Sequence, residues 1–200
     1  MGHPHRLVVP DLPHHITQRG NSKQNIFLDD EDRRCYLTML RQECKTTKLK
    51  ILGYCLMTNH VHLVVIPPEE RSLADGIGRA HWSYSRVFNR RHGRSGALWQ
   101  ARFFSCPMDE AHLYQALRYV ELNPSRAGLV KNPWDYAWSS AQEHMGQKQP
   151  GHILDLSPVE EDWGHKTWPE YLLGPGSDED RDILRVSTTR GSPWEAVPTA

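Results

Sequence analysis

Lys50 to Met57 and His60 to Ile66 are apolar runs separated only by Thr58-Asn59, and together they constrain the fold more than any other segment. Apolar runs of this length joined by two residues predict an antiparallel hairpin. Pro67-Pro68 ends it, because proline cannot extend a hydrogen-bonded ladder. The second run, Val-His-Leu-Val-Val-Ile after His60, is apolar on both faces and belongs inside a sheet. Side chains alternate along a strand, so His60 and His62 face one way and Val61 the other. Two imidazoles on one face suit a divalent metal, although a packed interior accommodates the same pattern.

Around this hairpin the periodicity supplies a sheet and three helices. His14 to Arg19 reads as a first strand that breaks at Gly20-Asn21. Asp29-Asp30-Glu31-Asp32 places negative charge at a helix start, and the helix runs to about Thr47. From Ser72, Leu73, Ile77, Ala80, Tyr84, Val87 and Phe88 form an apolar helical stripe. Ala97 to Cys106 is expected to contain a strand carrying Trp99, Phe103 and Phe104. Asp109-Glu110 opens a third helix, which Asn123-Pro124 should close. This order predicts an α+β fold, a ferredoxin-like split β-α-β antiparallel sheet with an added C-terminal helix. The domain is expected over residues 1–146, and 147–200 reads as an acidic, Pro/Gly-rich extension with a short helix near Asp180 to Arg185.

With 200 residues, 38% of them apolar, the chain can bury one ordinary core. No run approaches a membrane span and the N-terminus lacks a signal-peptide pattern, so a cytoplasmic protein without a membrane partner is expected. Cys35, Cys44, Cys55 and Cys106 form no Cys-x-x-Cys pair and read as buried thiols.

Zero net charge averages two unlike parts. Residues 1–149 hold 20 Lys and Arg against 14 Asp and Glu, whereas 150–200 hold 4 against 10. From Gly76 to Met108 there is no acidic residue, yet Arg79, Arg86, Arg90, Arg91, Arg94 and Arg102 all fall there. A one-signed region of that size predicts an anionic partner, most commonly a phosphate backbone. The acidic tail is then a candidate competitor for the basic surface.

A second constellation lies at the end of the third helix. In Tyr119-Val120-Glu121-Leu122-Asn123-Pro124, Tyr119 and Asn123 stand one turn apart on one helix face. With His60 and His62 they offer a phenol, an amide oxygen and two imidazoles. By itself a helical tyrosine is more often a core residue.

The residues around these sites resemble those of the REP-associated tyrosine transposases, members of the HUH single-strand transposases of insertion-sequence type. The resemblance is carried by His15-Ile16-Thr17-Gln18-Arg19-Gly20-Asn21, by Tyr54 to Leu63, by Gly96 to Phe103, and by Tyr119 to Val130. Tyr136-Ala137-Trp138-Ser139-Ser140 adds a further family signature. His14 departs from the aromatic that the family carries there. The resemblance implies that His60, His62 and Asn123 bind Mg²⁺ or Mn²⁺ and that Tyr119 is the nucleophile. It further implies single-stranded DNA carrying a REP-like hairpin as substrate and a 5′-phosphotyrosine intermediate.

General chemistry is consistent with those roles. A hard divalent ion accepts imidazole and amide-oxygen ligands. An ordinary tyrosine has a pKa of about 10, so its activation needs a metal or a cation, and Arg118 and Arg19 are both candidates. Arg19, Arg79, Arg86, Arg90, Arg91, Arg94 and Arg102 are the expected DNA contacts, with Trp82, Trp99, Phe103, Phe104 and Trp138 as stacking candidates. His15, His81, His92 and His112 are read as surface or packing residues. Two other readings remain: a catalytically silent nucleic-acid-binding module, and a metal-dependent hydrolase using water. The oligomeric state, monomer or homodimer, is open.

Overall fold

Strand β3 (His60–Ile66) lies between β1 (His14–Arg19) and β2 (Lys50–Met57), and β4 (Phe104–Pro107) flanks β1, giving the sheet order β2-β3-β1-β4. All neighbours are antiparallel, the order of a ferredoxin-like sheet. These elements belong to a computed structural model that describes residues 7–147, 152–160 and 167–174. Among the described residues no helix is long and apolar enough to cross a membrane.

The alternation of strand side chains splits the core in two. Ile16, Tyr54, Leu56, Val61, Leu63 and Val65 face α1 (Asp30–Thr47) and α2 (Arg79–Arg91), where Tyr36, Leu40, Ala80, Tyr84 and Phe88 complete one cluster. Leu52, Cys55, Met57 and Val64 face the other way, onto Leu113, Ala116, Leu117 and Val120 of α3 (Glu110–Glu121). The added helix thus covers the sheet face left open by α1 and α2. Gly53 permits its close approach, since a Cβ there would lie 2.5 Å from Leu117 Cδ2.

Local chemistry sets the ends of these helices. The Asp29 carboxylate accepts from Asp32 N at 2.9 Å at the start of α1, and Asp109 accepts from His112 N at 3.0 Å at the start of α3. Before α2 the chain makes a widened turn over Ala74–Gly78, seating Gly76 against α1 where a Cβ would meet Thr47 Oγ1 at 2.9 Å.

Three expectations are modified. The fourth strand is only Phe104–Pro107, so Trp99 and Phe103 precede it. Gly93 and Gly96, both at positive φ, turn the loop away, and Trp99 is held by its Nε1 donating to His81 O at 2.9 Å. Asn123-Pro124 does not stop the helical path: α3 ends at Glu121, and a further turn, α4 (Asn123–Arg126), follows directly. Proline in the first turn of a helix sacrifices no hydrogen bond.

The segment after 146, read as an acidic, Pro/Gly-rich extension, contains the short helices α6 (Ser157–Glu160) and α7 (Trp168–Leu173), and α5 (Ala141–His144) lies just before it. Leu154, Val159, Trp168 and Leu172 are buried in the two clusters. The helix expected near Asp180 to Arg185, and most of the acidic tail, lie outside the described residues.

Beyond the edge strand β2, the 136–140 segment supplies partners. Leu56 N donates to Trp138 O at 2.9 Å, Tyr54 N to Ser140 Oγ at 3.0 Å, and Tyr136 Oη to Leu56 O at 2.8 Å. An otherwise open sheet edge is thereby capped.

Candidate active site

The register brings one row of polar side chains onto the α3 face. His62 pairs with Thr17 and His60 with Arg19 across β1, while His62 and His60 pair with Cys55 and Met57 across β2. Side chains directly opposite in a ladder share a face. The His60 and His62 rings lie 5.0 Å apart, and the Tyr119 ring stands edge-on to His62 at 5.7 Å. A strand and a helix distant in sequence therefore bring together the two imidazoles and the phenol singled out from the sequence. Asn123 Nδ2 donates to Tyr119 O at 2.8 Å, which uses the amide nitrogen and leaves Oδ1 to accept or ligate.

Hydrogen bonds fix one tautomer. Asn59 Nδ2 donates to Lys23 O at 3.3 Å, so its Oδ1 faces His60 Nδ1, 2.7 Å away. An amide oxygen only accepts, hence the His60 proton sits on Nδ1 and the Nε2 lone pair is open to the site. Burial, then the Arg19 charge, pushes His60 down to about 4. Burial also holds His62 well below the ordinary histidine value, followed by His15, His60 and Arg19. Both rings are neutral at physiological pH, the form that binds metal.

Among the described residues no group of three or more His, Cys, Asp or Glu side chains is arranged to hold a cation. The donors that could hold such an ion are His60 Nε2, His62 and Asn123 Oδ1, two imidazoles and a neutral oxygen. Such a set would leave positions for phosphate oxygens and water, as a hard divalent ion requires.

Two residues that sequence reasoning left out belong to this site. His15, 0% exposed, places Nε2 3.1 Å from His62 Nδ1, and its ring lies 5.9 Å from Tyr119. Its position two residues before Thr17 on the same strand face was a usable signal. Arg126 holds its guanidinium carbon 5.5 Å from the Tyr119 ring centroid. Its spacing of seven residues from Tyr119, two helical turns, was visible only if the helical path was carried through Pro124. Arg118 instead turns away: its guanidinium donates to the carbonyls of Leu172, at 3.2 Å, and Gly174, and lies over Tyr171.

The arginines divide by position. Arg19 is exposed at the end of β1, opposite His60 in register. Arg79, Arg86 and Arg90 are exposed on α2, across the sheet from α3, with Arg79 bonded to Asp75 at 3.2 Å and Arg86 lying 4.7 Å from the Trp82 ring. Arg91 is engaged by the start of α1, pairing with Asp29 at 2.7 Å and with Asp32, which also accepts from His92. Arg94 bonds Gln24 and, like Arg102, is exposed on the 92–103 loop.

Of the aromatic candidates, Trp82 is 61% exposed, whereas Phe103 is buried. Trp138 donates to Asp30 at 3.1 Å and packs under Arg33.

The sequence matches, over residues 8–123, the family described as Transposase IS200 like. Among solved structures, the chain is similar to a REP-associated tyrosine transposase bound to a REP hairpin, at 16% identity and a TM-score of 0.59. That alignment covers 78% of this chain and 96% of the other, and the likeness is one of fold. A putative transposase from Deinococcus radiodurans R1 aligns at 18% identity over 60% of this chain and 96% of that one, with a TM-score of 0.42. No curated protein matches the sequence.

Proposed function

Because the chain belongs to the IS200-like transposase family, we propose that it cleaves and rejoins single-stranded DNA through a covalent 5′-phosphotyrosine at Tyr119. The observation that carries this reading is the meeting of the Tyr119 ring with the His62 and His60 pair on one face of the sheet. A module that only binds nucleic acid has no need of a phenol beside two neutral imidazoles with a free ring nitrogen.

Tyr119 Oη attacks the scissile phosphorus. The Tyr O–P bond forms, the P–O3′ bond breaks, the phenolic proton passes to solvent and the departing oxygen takes up a proton as a 3′-hydroxyl. Rejoining is the reverse, with a 3′-hydroxyl attacking the phosphotyrosine and the phenol leaving, so the phosphodiester's energy is retained. Mg²⁺ or Mn²⁺ held by His60, His62 and Asn123 would polarise the scissile phosphate and offset its developing charge. Arg126 supplies positive charge over the Tyr119 ring, a cation on the side of the nucleophile. The Asn123 bond to the Tyr119 backbone carbonyl orients the amide one helical turn from the nucleophile's own residue.

The substrate is a DNA hairpin of the kind present in the structurally similar transposase. Arg86 and Arg90 on α2 and Arg94 and Arg102 on the loop hold its phosphates, Trp82 stacks against a base, and the strand passes Arg19 to reach Tyr119. Arg79 and Arg91 contribute less, since both already pair with acids.

The test is incubation of wild type and Tyr119→Phe with end-labelled hairpin DNA, in Mn²⁺ or in EDTA, followed by a denaturing gel. A protein–DNA adduct requiring both Tyr119 and metal is expected. Metal-dependent cleavage that persists in Tyr119→Phe without an adduct would point to hydrolysis by water, and tight binding without cleavage to the silent module.

A further inference from the structure

We infer that His15 is a positioning residue for the cation site: its Nε2 accepts the Nδ1 proton of His62 and so holds His62 in the tautomer that presents Nε2. The inference rests on the reading of His60 and His62 as cation ligands.

The two histidines of β3 are treated alike but by different partners. His60 Nδ1 is held at 2.7 Å by Asn59, whose amide oxygen can only accept. His62 Nδ1 is held at 3.1 Å by His15 Nε2, with the two rings within 4° of parallel and their centroids 5.3 Å apart. Each ring nitrogen turned away from the site thus has a built partner. His62 is 3% and His15 0% exposed, so bulk water cannot substitute for either partner.

A neutral imidazole carries one N–H, which makes the assignment a choice between two arrangements. If His15 Nε2 donates, the His62 proton must sit on Nε2 and block the lone pair that faces the site. If His62 Nδ1 donates, His62 Nε2 is open and the His15 proton moves to Nδ1. Only the second arrangement is compatible with a cation.

That arrangement has a specific cost, because His15 Nδ1 is buried and among the described residues has no hydrogen-bond partner. A residue kept for packing alone would be better served by an apolar ring of the same shape. The presence of a histidine with one satisfied and one orphaned nitrogen points to a need for a hydrogen-bonding group at Nε2, and the cation makes that group an acceptor. The edge of Tyr119 against both rings, at 5.9 and 5.7 Å, makes the same pair a wall for the nucleophile.

The chemistry separates the possible substitutions. A glutamine amide oxygen reaches the position of the imidazole Nε2, whereas an asparagine reaches only that of Nδ1. Phenylalanine fills the space with no acceptor. Mn²⁺ affinity should therefore be measured on wild type, His15→Gln, His15→Asn, His15→Phe and His62→Ala by the electron-paramagnetic-resonance signal of the free ion. Thermal melts of each variant establish that it is folded.

Wild type and His15→Gln are expected to bind alike, and His15→Asn and His15→Phe to bind roughly 10–100-fold more weakly. Binding by His15→Phe as tight as wild type, or by His15→Gln as weak as His15→Phe, overturns the acceptor role. If His15→Phe does not fold, the contrast of Gln with Asn decides. Wild-type binding that is undiminished in His62→Ala refutes the cation-site reading itself, and this inference with it.

Discussion

Replacing Glu121 by glutamine should destabilise the protein by about 3 kcal/mol or more, although only one oxygen is exchanged for an NH₂ group. Glu121 is 0% exposed, and three donors converge on it. Oε1 accepts from Ser140 Oγ and from His144 Nδ1, each at 2.5 Å, and Oε2 accepts from Trp168 Nε1 at 2.8 Å. A carboxylate offers acceptors on both oxygens. An amide offers one, so if its oxygen stays with Ser140 and His144, its NH₂ group meets the indole N–H donor to donor.

The buried indole N–H then goes unpaired, at about 1–3 kcal/mol, and the two surviving bonds lose the charge that roughly doubled their strength. At about 2–4 °C per kcal/mol for a chain of this size, the melting temperature should fall by about 6–12 °C. Urea unfolding of wild type and Glu121→Gln at neutral pH measures the difference directly. A loss below about 1 kcal/mol with an unchanged urea dependence would show that the three donors do not depend on a carboxylate, and the reasoning would fail.

Two further predictions concern the same core. Burial holds His14, His15 and His60 down to about 4 and His62 well below its ordinary value, whereas unfolded imidazoles titrate near 6.5. The unfolded chain therefore takes up protons that the folded chain refuses. Stability is fully present above about 6.5 and is lost as pH falls toward 4, by about 2 kcal/mol at pH 5 for each of His14, His15 and His60. Denaturant midpoints should drop steeply between pH 7 and 5, and a flat profile would refute it. Gly53→Ala would set a methyl 2.5 Å from Leu117 Cδ2. It should cost about 1–3 kcal/mol by urea unfolding and reduce adduct formation by more than the loss of folded protein, because α3 must lift with Tyr119. Equal losses in both measurements would argue against that coupling.

Much of the framework is legible in the sequence because it is local. The bounds expected for β1, β2 and β3 coincide with those observed, and α1 starts within its acidic run and ends at Thr47, since strand period, helix period, the Asp29 cap and Pro67 act within a few residues of one another. The alternation that put His60 and His62 on one face is equally local, as is the helical spacing of Tyr119 and Asn123. Local reasoning failed where a residue's environment was set by something far along the chain. Arg91 lies in a stretch devoid of acids, yet its partners are Asp29 and Asp32 at the start of α1. Trp99, read as a strand residue, is fixed by the His81 carbonyl of α2.

The sequence by itself determined that two imidazoles share a strand face and that a phenol and an amide share a helix face, because periodicity is a property of the backbone. Only the tertiary structure decided that those faces meet. Strand register put His15 beside His62 across 47 residues of chain, and packing put Arg126 over Tyr119 while drawing Arg118 off to the carbonyls of Leu172 and Gly174. Glu121 gained its meaning in the same way, from Ser140, His144 and Trp168. Hydrogen-bond partners and the dielectric around a charge are set by what folds against it, and no local pattern of residues encodes them.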